Sequence, residues 1–365
     1  MGHHKAVLGL SGGVDSAVAA HRLLKSGYEV VAISMRTNNL RSQQIDIENA
    51  IKISKILGIK HKIVDKRKEF DNIVLERFVD DYKNGRTPNP CAICNRYIKF
   101  QMLYDEMIKE NADTISTGHY ANVVKLNNDR YAISESENKK KDQSYLLYNL
   151  TQEQLSHIYF PIAGSDKEDI RQIAKEIDVD TSEKKDSFDL CFINDIDYIE
   201  FIKRREMGDD YRHKIATGLI KEEDYFAKAK FVDKEGNFLG TNDGIINYTI
   251  GQRKGLGTAF GKRTYVVDID KNKNEVVLGD DKDLYNDEFK VSEVNYQAID
   301  DFEENNTYEY LAKVRYRHEK TMCSITRVGD VLYCKLKEKA RAITKGQSAV
   351  FYDNDGIIIA GGTIM

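Results

Sequence analysis

The sequence predicts an α/β protein: a doubly wound parallel sheet at the N-terminus, then a small β-rich central domain, then a C-terminal β-barrel. Three observations carry this reading. Apolar runs alternate with helical periodicity from residue 5 to about 118, the rhythm of a parallel sheet. A Gly-rich turn, Ser11-Gly12-Gly13, separates the first strand from the first helix. From about Tyr211 onward short strands dominate, with turns at Lys234-Glu235-Gly236-Asn237, Lys271-Asn272-Lys273-Asn274 and Asp353-Asn354-Asp355-Gly356. The expected divisions are 1–207, 208–283 and 284–365.

Ala6-Val7-Leu8 reads as a buried strand running to Leu10, and Ser16 to Lys25 as a helix with Val18, Ala19, Leu23 and Leu24 on its apolar face. A strand at Val30 to Met35, a helix through Ile45, Ile51, Ile53 and Leu57 stopped by Gly58, and a strand at Lys62 to Asp65 follow. Next come a helix from Phe70 to Lys83, a loop, a helix from Asn95 to Lys109 and a strand at Thr114 to Thr117. Such sheets bind ligands at their C-terminal strand ends, and the Gly-rich turn occupies the first of these. Beyond Gly118 the pattern predicts a hairpin (Val123 to Lys125 with Tyr131 to Ser134) and a Lys-rich link. Helices are predicted at Thr151 to Ile158, Asp166 to Ile177 and Asp195 to Arg205.

With 365 residues, 41% of them hydrophobic, the chain has room for two or three cores. No run approaches the roughly 18 apolar residues of a membrane span, and no signal-peptide core is visible. The expectation is a soluble cytoplasmic protein with no membrane partner. Its five cysteines are an odd number in a long chain, which argues against a disulfide framework and for reactive or ligand thiols. The net charge of −4 hides an asymmetry. Leu311 to Lys345 holds ten basic and three acidic residues, whereas Gly279 to Asn306 holds ten acidic and two basic. The basic stretch suits a phosphate backbone, or is a solvated face of strands.

The loop carries the first chemistry. Glycines let the backbone approach an anion, and free N–H groups with the helix N-terminus favour pyrophosphate. Ser11 and Ser16 add hydroxyl donors, and Asp15 is placed to hold a magnesium ion bridging the phosphates. No Gly-Lys-Ser/Thr follows, so this is not a Walker loop. Ser-Gly-Gly-Val-Asp-Ser resembles the pyrophosphate loop of the Rossmann-like ATP pyrophosphatase superfamily, which implies ATP use and adenylation of a carbonyl oxygen.

A second motif runs from Gly85 through Thr87-Pro88-Asn89-Pro90-Cys91-Ala92-Ile93-Cys94 to Arg96 and contains two of the three prolines. The prolines predict a stiff loop. Cys94 then stands near a helix start, where the dipole and Arg96 are expected to lower its thiol pKa. Cys-x-x-Cys alone fits a redox couple, half a zinc site or part of an iron–sulfur site; zinc lacks its two further nearby ligands. The third piece is Ser187-Phe188-Asp189-Leu190-Cys191-Phe192-Ile193, after the charged Glu183-Lys184-Lys185-Asp186. By itself Cys191 reads more readily as core than as catalyst. Cys323 and Cys334 lie in strand-like alternation and read as core.

Together these strings resemble the bacterial tRNA-specific 2-thiouridylases. Further agreeing strings are Ile98-Lys99-Phe100, Thr117 to Ala121, Lys141 to Tyr145, Tyr248 to Gly257 and Val314 to Arg317, in order along nearly the whole chain. The resemblance implies an ATP site at Gly9, Leu10, Ser11, Gly12, Gly13, Val14, Asp15, Ser16, Met35 and Gly118. It implies Cys94 as nucleophile, Cys191 as persulfide carrier, and Asn89, Pro90 and Cys91 facing the target uracil. It assigns tRNA contacts to His119, Lys141, Asp142, Gln143, Arg315, Tyr316 and Gln347. The reaction implied is adenylation of the C2 oxygen of the wobble uridine in the anticodon stem-loop, followed by sulfur transfer. A sulfur-carrier protein or cysteine desulfurase is the implied donor.

Two departures stand out. Arg36-Thr37-Asn38-Asn39-Leu40 is short and polar where the family has an aromatic-containing segment, and Cys91 stands where many members have Asp. Cys91, Cys94 and Cys191 therefore offer an alternative, three ligands of a [4Fe-4S] cluster that delivers the sulfur. Rival readings are an amide- or amino-acid-activating synthetase, a 4-thiouridine or lysidine enzyme, and a non-catalytic nucleotide-dependent RNA-binding protein.

Overall fold

The structure, a computed structural model, describes residues 4–179, 190–193, 196–257, 261 and 263–365. β1 (Lys5–Gly9), β2 (Glu29–Arg36), β3 (Lys60–Asp65), β4 (Thr114–Thr117) and, after the hairpin of β5 (Asn122–Lys125) and β6 (Tyr131–Ser134), β7 (Ile158–Tyr159) are the first strands of the chain. All but the hairpin form one sheet, ordered β3-β2-β1-β4-β7 and parallel throughout. Successive side chains of a strand point to opposite faces. Thus Ala6 and Leu8 pack with α1 (Val14–Lys25) and α2 (Arg41–Leu57), while Val7 joins Leu103, Met107 and Ile115 on the other face. At β1 and β2 both faces are covered, which is why these two strands read as apolar runs.

Three local readings are corrected. The helix expected from Asn95 begins at Pro90, with Asn89 capping it by accepting from the Ala92 amide at 3.4 Å. Proline has no N–H to lose at a first helical position, so Pro90 opens the helix and does not stiffen a loop. The run continues through a π-helical turn, Asn95–Phe100, into Gln101–Lys109. The helix expected to reach Ile158 stops at Leu155, and Ile158 pairs with Ile115 as the fifth sheet strand. The helix expected from Asp195 runs Tyr198–Met207, capped by Asp197, which accepts from the Glu200 amide at 2.8 Å. Ser187–Asp189, the charged loop before them, and residues 194–195 lie outside the described residues.

A helix, Tyr211–Ala216, precedes the central strands, another departure from the expected run of strands. β8 (Ala229–Val232), β9 (Phe238–Asn242), β10 (Tyr265–Asp270) and β11 (Glu275–Gly279) form a sheet ordered β10-β11-β8-β9. β12 (Tyr285–Tyr296), β13 (Thr307–Lys313), β14 (Thr321–Val328), β15 (Val331–Arg341), β16 (Ser348–Tyr352) and β17 (Ile358–Ile364) close into a barrel. Cys323 and Cys334 are buried in its core with Phe289, Phe302 and Phe351.

The barrel is fastened directly to the Pro-Asn-Pro-Cys segment. The Thr87 amide donates to Lys345 O at 2.8 Å, and Gln347 Nε2 donates to the carbonyls of Thr87 and Pro88 at 3.0 and 2.9 Å. Asn89 Nδ2 donates to Ser348 Oγ at 3.0 Å. Among the described residues no helix is long and apolar enough to cross a membrane.

Candidate active site

The loop after β1 is held in one shape by its neighbours. Gly12 has φ +78°, and a Cβ there would stand 2.1 Å from Asp46 O. Gly118, just past β4, is equally tight: a Cβ would lie 2.8 Å from Ser16 N. Glycine is required at both by close approach of backbone. Ser16 Oγ donates to Gly13 O at 2.8 Å and stands 3.2 Å from Ser11 Oγ. Gly13 caps α1 without a side-chain bond, so the first amides of α1 keep their capacity for an anion. Tyr120 OH donates to Asp15 Oδ1 at 2.8 Å and fixes that carboxylate beside the loop. Behind it, Ser34 Oγ donates to Leu10 O at 2.7 Å and meets His61 Nε2 at 2.8 Å. Gly9 to Ser16 and Gly118 therefore converge at one strand end.

Met35, near the end of β2, packs both on the sheet core and on the cluster that contains Cys94. The polar stretch after it is self-bonded. Gln43 Oε1 accepts the Thr37 and Asn38 amides at 2.8 and 2.9 Å, and Asn38 Oδ1 accepts the Leu40 amide at 2.9 Å.

Cys94 is half-buried and shares its apolar cluster with Leu190, Phe192 and Ile193, the residues around Cys191. Cys91 and Cys191 are exposed. Burial pushes the Cys94 thiol up to about 12; Lys99 opposes this, and Cys191 and Cys91 add to it. Loss of hydration also raises Cys191 and Cys91, with Cys91 disfavouring the Cys191 thiolate and Lys99 favouring both, and the exposure of the two side chains moderates the rise. The three thiols thus lie within electrostatic reach of one another.

The expected lowering of the Cys94 pKa is overturned. Cys94 sits a full turn inside the helix, and Arg96 is turned away, donating to Asn149 Oδ1 at 2.8 Å and Asn295 Oδ1 at 3.2 Å. Lys99 is the cation that acts on all three thiols and on His119, and sequence reasoning missed it. A π turn takes an extra residue, so the fifth residue after Cys94, not the fourth, returns to its side. His119 Nδ1 meets Thr117 Oγ1 at 2.6 Å, and burial holds the ring neutral, well below its usual range.

Several residues with an expected RNA role serve as internal ties. Asp142 is buried, accepting from the Ser136 amide at 2.9 Å and Ser144 Oγ at 2.7 Å. Gln143 Oε1 accepts the Tyr120 amide at 3.0 Å, and Tyr316 OH donates to Asp142 O at 3.1 Å. Lys141 lies 5.8 Å from the Tyr120 ring centre, and Arg315 donates to Thr344 Oγ1. Burial lowers Lys313, Arg315 and His318, and Arg315, Arg341 and Lys313 push His318 down further, the mark of a crowded cationic face. Among the described residues no three Cys, His, Asp or Glu side chains gather closely enough to hold a metal ion.

Three family profiles match the chain in succession: the tRNA methyl transferase HUP domain over residues 4–195, the tRNA methyl transferase PRC-barrel domain over 218–280, and the aminomethyltransferase beta-barrel domain over 286–364. The chain is 40% identical over 374 residues to the tRNA-specific 2-thiouridylase MnmA of Lachnoclostridium phytofermentans, covering 99% of each chain. It is 43% identical over 371 residues to tRNA-specific 2-thiouridylase MnmA 1 of Clostridium botulinum, again covering 99% of each. A solved U34-tRNA thiolase from Methanococcus maripaludis, 19% identical, covers 59% of this chain and 70% of its own at a TM-score of 0.36. That likeness is too remote to carry an argument.

Proposed function

The chain belongs to the tRNA-specific 2-thiouridylase family, and on that premise we propose that it activates the wobble uridine of tRNA with ATP and replaces its C2 oxygen with sulfur carried on Cys191. The observation that carries the sulfur step is that Cys94 and the residues flanking Cys191 pack on one apolar cluster, with Cys191, Cys91 and Lys99 in electrostatic reach of Cys94.

The amides of the loop and of the start of α1 receive the phosphates, and Asp15, oriented by Tyr120, would hold the magnesium ion that offsets their charge. ATP supplies the activation, placing AMP on the C2 oxygen and releasing pyrophosphate. The terminal persulfide sulfur on Cys191 attacks C2. The Cys94 thiolate attacks Cys191 Sγ, breaking the bond to that terminal sulfur and forming a Cys94–Cys191 disulfide. AMP leaves, and the base becomes 2-thiouridine. The protein is left two electrons oxidised, and an external dithiol returns them. Lys99 favours the thiolate during this exchange. The target base leaves the anticodon stack to enter the cleft, which an unpaired loop base does at small cost. The cationic face of the barrel suits the phosphates of the stem. No step of this reading is routed through an iron–sulfur cluster.

The test supplies purified protein with ATP, magnesium, an unmodified tRNA and a persulfide source. Pyrophosphate release that depends on tRNA, with sulfur on the wobble uridine by mass spectrometry, is expected. tRNA binding without pyrophosphate release overturns the enzyme reading in favour of an RNA-binding protein.

A further inference from the structure

Transfer as derived uses two thiols and leaves Cys91, which is exposed one helical turn before Cys94, without a part. We propose that Cys91 is the resolving thiol: it attacks Cys94 Sγ in the Cys94–Cys191 disulfide, expels the Cys191 thiolate and leaves a Cys91–Cys94 disulfide at the protein surface. The inference rests on the persulfide reading above.

Three observations carry it. Residues three apart on a helix have Cβ atoms about 5–6 Å apart, and a disulfide needs about 3.5–4.5 Å, so closure takes a shift of about 1.5 Å. That shift falls in the first helical turn, whose leading amides have no intrahelical partner and whose side-chain cap is a long 3.4 Å bond. The second observation is a gradient of exposure. Cys94 is half-buried on the apolar cluster that also takes Leu190 and Ile193, whereas Cys91 and Cys191 are open. A reductant arriving from solvent meets Cys91 first, and a freed Cys191 faces outward to take its next sulfur. The third is mutual reach: Cys91 acts on the charge of both Cys94 and Cys191.

The exchange balances without an outside electron. One S–S bond breaks, one forms, and the proton of Cys91 ends on Cys191. An external dithiol then reduces the Cys91–Cys94 bond, giving up two electrons and two protons and becoming a disulfide itself. A bond strained across one helical turn is the more readily reduced.

The experiment loads Cys191 with persulfide, allows one turnover with ATP and tRNA in the absence of reductant, alkylates free thiols in acid and maps the disulfides. Wild-type protein is expected to carry mainly Cys91–Cys94 with Cys191 alkylated. Cys91→Ser and Cys91→Asp are expected to stop at Cys94–Cys191, and their steady-state rate with a dithiol, relative to their own first turnover, falls by about tenfold. Wild-type protein that holds only Cys94–Cys191, or a Cys91→Ser ratio equal to wild type, overturns the proposal. Thiolated tRNA with no disulfide at all defeats the persulfide reading itself, a separate outcome.

Discussion

At Gly12 a side chain has nowhere to go, since a Cβ would meet Asp46 O at 2.1 Å and the backbone sits at φ +78°. Gly12→Ala must displace the loop or α2, and a misplaced phosphate cradle loses most of its rate. The expected result is at least a tenfold fall in kcat/KM for ATP with a thermal midpoint within a few degrees of wild type, read by pyrophosphate release and a melting curve. The sulfur step has its own signature. A thiol raised to about 12 is almost wholly protonated at neutral pH, so its reactive form grows as pH rises. The first-turnover rate of loaded enzyme is expected to climb by about tenfold per pH unit between roughly 7 and 9, and Cys94→Ser removes that slope together with the transfer. A flat profile would show that the thiolate is already formed when substrate binds.

At the scale of the element, the helix ending in Gln101–Lys109 is tied to the strands it covers by a charge cluster at its end. Glu110 lies 2.9 Å from Lys60 and 3.5 Å from Lys5 and also meets Lys62. Hydrogen bonds from Lys62 and then Lys60 push its carboxyl down to about 2 from an ordinary 4.5. A folded value below the unfolded one means that the stabilisation is present above about pH 4.5 and is lost as pH falls through about 2. Glu110→Gln is expected to melt below wild type at neutral pH, with the gap closing towards pH 2; a gap independent of pH would assign the effect to packing.

Over the whole molecule, the barrel does more than offer a cationic surface. Gln347 and Ser348, just before and at the start of β16, bond the segment that opens the Cys91–Cys94 helix, so the barrel is tied directly to the thiols of the sheet domain. Gln347→Ala removes two bonds to backbone carbonyls and leaves the barrel core untouched. Thiolation is expected to fall several-fold while binding of ATP alone is unchanged, measured by single turnover and by nucleotide titration. Equal loss of ATP binding would place the defect in folding.

The sequence alone determined the parallel sheet, the barrel, the loop at Gly9–Ser16 and the cysteines, because these depend on local periodicity, on glycine where backbone crowds, and on residue chemistry. Boundaries failed where competing local signals met, as at Pro90, which reads as a loop stiffener until its missing N–H is matched to a helix start. The thiol environment was decided only by tertiary structure. Cys94 follows a helix start in sequence, yet it packs on a cluster that draws in residues nearly a hundred positions away, and burial outweighs the dipole. Lys99 comes within reach through a π turn that no α-helical count anticipates, and Gln347 meets Thr87 and Pro88 only because the barrel docks there. Charge and hydration act through space, and chain order leaves that space unspecified until the domains are packed together.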